Sequence, residues 1–158
     1  LIPYGEDWRR AGEYLKQVLG DIGIKLELRY EDVPTWLKRI YHNYDFVMNV
    51  NYFYQLPDPV LGVHRHYGTD QIRKGTHFVN SSRYSNSELD ELLASGATEA
   101  NAQKRTQIYK KIQEILARDM PVVNLFELQF LTVYNTKLKG AYNSALGAYA
   151  SFSEAYLD

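Results

Sequence analysis

Apolar positions along the chain change period several times, and each change marks an element. Trp8, Ala11, Leu15, Val18 and Leu19 recur at three-to-four spacing, the signature of a helix with one buried face. Gly20 follows the last of them as a terminator, and Asp21-Ile22-Gly23 reads as a tight turn. Ile24, Leu26, Leu28 and Tyr30 then alternate with Lys25, Glu27 and Arg29. Period two predicts a strand with one buried and one wet face, near a sheet edge. Asp32 caps a second predicted helix with Pro34 in its first turn and Trp36, Leu37, Ile40 and Tyr41 as its apolar stripe. Residues 46–50 read as a short buried strand. The order helix, strand, helix, strand is an α/β pattern.

Residues 51–84 lose this regularity. They hold aromatics, prolines, glycines and three histidines, with a short helix expected after Asp58-Pro59. Long irregular stretches in compact domains are often functional. Periodicity then returns. Ser85 and Glu88 have capping-box spacing ahead of Leu89, Leu92 and Leu93, with Gly96 as the expected end of that helix. A further helix starts near Asn101 and carries Ile108, Tyr109, Ile112, Ile115 and Leu116 on one side. It stops before Pro121. Residues 122–126 and 130–134 read as two strands. After Lys139-Gly140 the chain is small, polar and irregular.

Composition narrows the chemistry. With 158 residues and 45% apolar content the chain can bury a core. A net charge of -1 leaves no footprint for nucleic acid. There is no run of about 20 apolar residues that could span a membrane. Without cysteine there are no disulfides, thiolate metal sites or cysteine nucleophiles. No nucleophile elbow, HExxH or phosphate-binding glycine loop is present, so an enzyme is not expected. An amphipathic interaction module is a further rival, although packing on a sheet accounts for its helices. The 14 tyrosines are the unusual feature, because each packs like a hydrophobe and keeps a polar tip.

Several segments together resemble the C-terminal part of the family 5 bacterial extracellular solute-binding proteins, the peptide- and nickel-type receptors of ABC importers. They are the stretch Leu19 to Ile24, Trp36-Leu37, Tyr44-Asp45-Phe46, Pro57-Asp58-Pro59 and Tyr84-Ser85-Asn86. Leu89, Asp90, Leu92 and Leu93 follow, then Lys104-Arg105 with Tyr109, and Asp119-Met120-Pro121-Val122. The resemblance implies an α/β fold, one lobe of the type II periplasmic-binding-protein kind, with a mixed sheet flanked by helices. Residues 1–140 would form part of the C-terminal ligand-binding lobe, and 141–158 an irregular tail packed on the rest of the receptor. Leu1 is not a start methionine, so the chain reads as processed or cut, its signal peptide absent. The implied role is capture of a peptide or related solute by lobe closure, followed by delivery to membrane permease subunits. The implied place is the periplasm or the extracellular face, with membrane contact only through the permease or a lipid anchor. No cofactor is implied. An isolated lobe exposes its cleft face and could dimerise.

In that family the segment equivalent to residues 51–59 faces the cleft, which makes Tyr52, Phe53, Tyr54 and Gln55 ligand candidates; alternatively, alternate rings pack inward. Peptide-binding relatives carry an aspartate where Gln55 stands. A neutral amide lacks the charge-assisted bond to an ammonium, so an oligosaccharide, an opine or a nickel complex becomes a rival ligand. Asp58 could substitute, although a helix N-cap is its first reading. Arg65, Arg73 and Arg83 could each present a fork to a carboxylate or simply lie on the surface, and Arg83 departs from the small residue relatives place there. His64 and His66 would share a metal only on a strand. On the expected helix they point about 200 degrees apart, so no metal site is assigned.

Overall fold

The computed structural model describes residues 1–129, 131–141, 144, 146 and 151–158, with the backbone alone for Asp7. Strand β1 (Ile2–Pro3) pairs in parallel with β2 (Asn49–Val50), Ile2 opposite Asn49 and Pro3 opposite Val50. On the other side of β1, the Leu1 amino group donates to the Glu27 carbonyl at 2.8 Å and the Arg29 amide donates to the Leu1 carbonyl at 3.1 Å. Leu1 thus brackets Leu28 as a parallel neighbour would. Helix α1 (Arg9–Gly20) joins β1 to this extended segment. Helix α2 (Val33–Leu37), continued by a π turn at Lys38–Asn43, joins it to β2. The mixed α/β architecture follows.

The expected strand at 24–30 is therefore extended but forms no ladder, because Leu1 alone stands beside it. The alternation holds only from Lys25 onward: Leu26 is buried, Leu28 and Tyr30 are half-buried, and Lys25, Glu27 and Arg29 are exposed, but Ile24 is exposed too. The strand expected over 46–50 shortens to its last two residues, and Val47 is 97% exposed. Residues 122–129 and 131–134 form no strand either. Phe130 lies outside the described residues. A strand needs a partner to satisfy its backbone, and no described residue outside 122–129 hydrogen-bonds the backbone of that segment. Near the end of the chain, β3 (Leu138–Lys139) pairs antiparallel with β4 (Tyr156–Leu157), a ladder that spans position 140.

Two apolar clusters hold the helices. In the first, Trp36, Ile40 and Tyr41 of α2 and its π turn meet Ile2 and Val79, and the Trp36 indole donates to the Ile2 carbonyl at 3.2 Å. Asp32 caps α2 as expected, accepting from the Thr35 amide at 2.8 Å. Helix α1 presses close at Gly12, where a methyl would sit 2.9 Å from Pro3 Cγ.

The second cluster fills the hairpin of α4 (Ser87–Thr98) and α5 (Ala102–Asp119) with Leu89, Leu93, Ile112 and Ile115. The cap of α4 is Asn86, one residue after the expected Ser85. Its amide side chain accepts from the Leu89 N–H, and its Nδ2 also reaches Tyr84 and Asp119. Gly96 does not end α4 but lies buried inside it. A methyl there would come within 3.1 Å of the Tyr109 ring, so the glycine exists for close approach of α5. Helix α5 starts near Asn101 as expected, with that residue as its cap, and Met120 closes it in the left-handed region.

Helix α3 (Pro59–Tyr67) rests Val63 and Tyr67 on this second cluster and buries His66. The His66 ring lies 3.6 Å from that of Phe53, and neither of its nitrogens has a hydrogen-bond partner among the described residues. Burial, helped by the charge of Arg65, pushes its pKa down to about 3.

These contacts set stability. Leu93→Ala is expected to cost about 2–5 kcal/mol in urea denaturation, whereas Leu131→Ala, at a residue 90% exposed, should change it by less than about 0.5 kcal/mol. His66 titrates lower in the folded than in the unfolded chain. It therefore contributes stability that is complete above about pH 6.5 and lost as pH falls toward about 3. Its share of the slope should approach about 1.4 kcal/mol per pH unit. Denaturation midpoints of wild type and His66→Leu between about pH 6.5 and pH 4 measure that share as their difference.

Candidate functional site

Residues 51–58 connect β2 to α3 without regular structure, yet both ends are fixed. At the first, Asn51 Nδ2 donates to the Tyr41 hydroxyl at 3.2 Å. Burial pushes the pKa of that phenol up to about 12, so Tyr41 stays a neutral anchor. At the second, Asp58 caps α3 by accepting from the Val60 amide at 2.9 Å. The same carboxylate oxygen receives Arg105 Nη2 at 2.8 Å, and the bond from Arg105 holds the Asp58 carboxyl below its ordinary pKa. Arg105 Nε donates to the Gly96 carbonyl, and its guanidinium lies 5.3 Å from the Tyr109 ring. The segment is thereby tied to the α4–α5 hairpin.

Between these anchors the side chains diverge. Phe53 turns inward onto His66. Tyr52 and Tyr54 stay 37% and 41% exposed. Tyr52 stacks on Trp8 with ring centres 5.7 Å apart, and Trp8 stacks in turn on Phe126 at 5.8 Å. Tyr4 meets Tyr52 edge-on at 5.8 Å and Trp36 at 4.9 Å. The result is an aromatic row with its inner end in the core and its outer rings at the surface. Offset and edge-on rings at these distances are mutually attractive and rigid. Gln55 is exposed and lies over the face of Gly62, whose lack of a side chain leaves room for it.

Among the sequence candidates, Arg65 joins this group. Its Nη2 donates to the Tyr54 carbonyl at 2.9 Å, while its buried Nε has no partner among the described residues. Asp58 belongs to the frame through its cap and its ion pair. Arg83 stands apart, its guanidinium 5.2 Å from the Tyr44 ring. Arg73 bonds the Asp70 carbonyl. His64 and His66 diverge on α3 as expected: His64 Nε2 lies 3.5 Å from Asp70, and His66 is buried. Among the described residues no three histidines, cysteines or carboxylates gather as for a metal ion, and no helix is long and apolar enough to cross a membrane.

Sequence reasoning missed Trp8 and Tyr4 as neighbours of Tyr52. Their signal was present as aromatics at the edges of predicted elements, but only the parallel pairing of β1 and β2 brings them beside residue 52. It also missed Arg105, whose partner is 47 positions away.

No protein-family model matches the chain. The peptide transport periplasmic protein SapA of Haemophilus influenzae is 24% identical over 151 residues, covering 93% of this chain and 26% of SapA. The periplasmic protein DdpA of Escherichia coli is 27% identical over 135 residues, covering 85% of this chain and 25% of DdpA. The solved structure of AppA from Clostridium difficile superposes over 99% of this chain and 33% of its own length, with TM-score 0.78 and 26% identity. The chain spans about a quarter of the curated relatives it matches. Over most of its length the chain is thus similar to periplasmic peptide-binding proteins, as a fragment of their fold.

Proposed function

We propose that this chain is part of the ligand-gripping lobe of an ABC importer's substrate-binding protein, which captures a peptide or related solute and presents it to a membrane permease at the outer face of the membrane. The observation that carries the reading is the segment Tyr52–Gln55: irregular, clamped at both ends, and presenting outward phenols beside an amide. Rigid rings with polar tips bind flat or extended solutes at low entropic cost. Tyr52, Tyr54, Gln55 and Arg65 form the gripping surface in this reading, with Phe53 supporting it from beneath. Arg83 contributes only from the loop beside Tyr44. Asp58 acts through the frame and not by direct contact with the solute.

Capture needs no bond-making. A solute shifts two lobes toward closure only through contacts that are better in the closed state. The C-terminal-lobe assignment gains support from Val123, Phe126, Leu131 and Val133, which are all more than half exposed. A monomer seldom leaves so much apolar side chain in water. Relatives about four times as long supply a body of protein against which this segment and residues 141–158 would pack.

Gln55 favours neutral or hydroxyl-rich ends of the solute over a free ammonium. Three outcomes are expected for the full-length receptor. Tyr52→Ala and Tyr54→Ala each weaken solute binding about tenfold, equivalent to about 1.4 kcal/mol. Gln55→Asp improves binding of free-amine ligands relative to amine-blocked ones. A thermal-shift series over peptides, sugars and opines reads all three, because ligand raises stability by mass action. Unchanged affinity in both tyrosine variants would place the jaw elsewhere. The isolated 158-residue chain should bind the same solute far more weakly than the full receptor.

A further inference from the structure

Two histidines that lie 35 positions apart in the chain meet at the surface, and neither belongs to the segment described above. His42 Nε2 stands 3.1 Å from His77 Nε2, and both residues are exposed. Local backbone fixes each one. His42 lies in the π turn that follows α2, and that turn ends at Tyr44 in the left-handed region. The loop carrying His77 is pinned to the same turn by the Gly75 amide, which donates to the Tyr41 carbonyl at 2.8 Å. Gly75 itself takes φ +88°, and a methyl there would lie 3.5 Å from the His42 ring. Phe78 is also left-handed, at φ 57°, a conformation bulky side chains avoid. Its ring is held by Tyr4 and Tyr41, at 6.2 and 5.8 Å between centres. The two imidazoles are thus brought together by the fold and not by chance rotamers of a flexible loop.

We propose that His42 and His77 form a surface site for a divalent transition-metal ion of the zinc, nickel or copper class. Imidazole is the side chain best suited to these ions. Two nitrogens bound to one ion at about 2.05 Å lie about 3.3 Å apart at a tetrahedral angle and about 2.9 Å apart at a right angle. The observed separation falls between these, so one ion bridges the pair with little rearrangement. No third histidine or carboxylate completes the set among the described residues, which leaves the remaining positions to water or to a group on an incoming molecule. The site is therefore open, of modest affinity, and independent of the solute-gripping segment.

The test is calorimetric titration of Zn2+ and of Ni2+ into the full-length protein that carries this chain. The expected result is one equivalent of metal that is lost, or weakened by more than about tenfold, in His42→Ala and equally in His77→Ala. Loss of an outer hydrogen-bond partner alone costs about that much. His64→Ala retains the equivalent. Cu2+ spectra of the wild type should show two coordinated imidazole nitrogens, and each single variant should show fewer. Both histidines are exposed, so the variants should melt with the wild type, and His42→Gln and His77→Gln serve where an alanine variant fails to fold. Metal stoichiometry and copper spectra unchanged by either substitution would overturn the site and leave the pair as a simple imidazole–imidazole hydrogen bond. Failure here leaves the solute-binding reading untouched, because the two share no residue.

Discussion

The bond between Arg105 and Asp58 is the constraint on which the remainder of the arrangement rests. One carboxylate oxygen receives both the Val60 amide and the Arg105 guanidinium, so it starts α3 and fastens that start to α5 in one step. Arg105 is itself fixed by the Gly96 carbonyl and the Tyr109 ring. A planar guanidinium with several donors can satisfy these partners at once, and a lysine could not. Without this tie α3 would rest on the hairpin through the packing of Val63 and Tyr67. The loop from Gly68 to Tyr84 is a further link, in which Asn80 donates to the Gly68 and Tyr84 carbonyls.

Several of the residues that carry the sequence resemblance serve this mechanical role. Asp58, Arg105 and Tyr109 form one knot. Tyr84, Asn86 and Asp119 form another, in which the Tyr84 hydroxyl donates to Asp119 at 2.6 Å and Asn86 donates to the same carboxylate. Hydrogen bonds from Arg118 first, then Tyr84, hold the Asp119 carboxyl down to about 2. The knots sit near opposite ends of the α4–α5 hairpin and set its position against α3 and the preceding loop. Residues recognisable in sequence here are those that fix the α4–α5 hairpin against α3 and the preceding loop.

What could be read from the chain divides along the same line. Helices were legible because their stripes and caps are local: Trp36, Ile40 and Tyr41 recur at helical spacing, and Asp32 and Asn101 cap the turns they precede. Strands were legible only as alternation. Residues 24–30 and 122–134 have the composition of strands, but a ladder depends on a neighbour that the pattern cannot supply. The placement of Asp58 as a cap followed from Asp58-Pro59, whereas its ion pair with Arg105 did not, since nothing local links positions 58 and 105. The same holds for His42 and His77, whose separation in sequence carries no ligand spacing. It holds too for Gly96, which reads as a stop and serves instead as the contact point of two helices.

The segment from Asn51 to Asp58 joins these two kinds of information. Its aromatic density is visible in the sequence, but the division of labour among its rings comes from the packing. Phe53 faces His66, a buried base without hydrogen-bond partners among the described residues, so a ring contact holds this side of the segment. Tyr52 and Tyr54 stay partly exposed, and the Tyr54 carbonyl accepts from Arg65. That ring contact and the fixed ends leave the outer rings few ways to rearrange. In the solute-binding reading proposed above, contacts these rings make with a solute would carry little ordering cost.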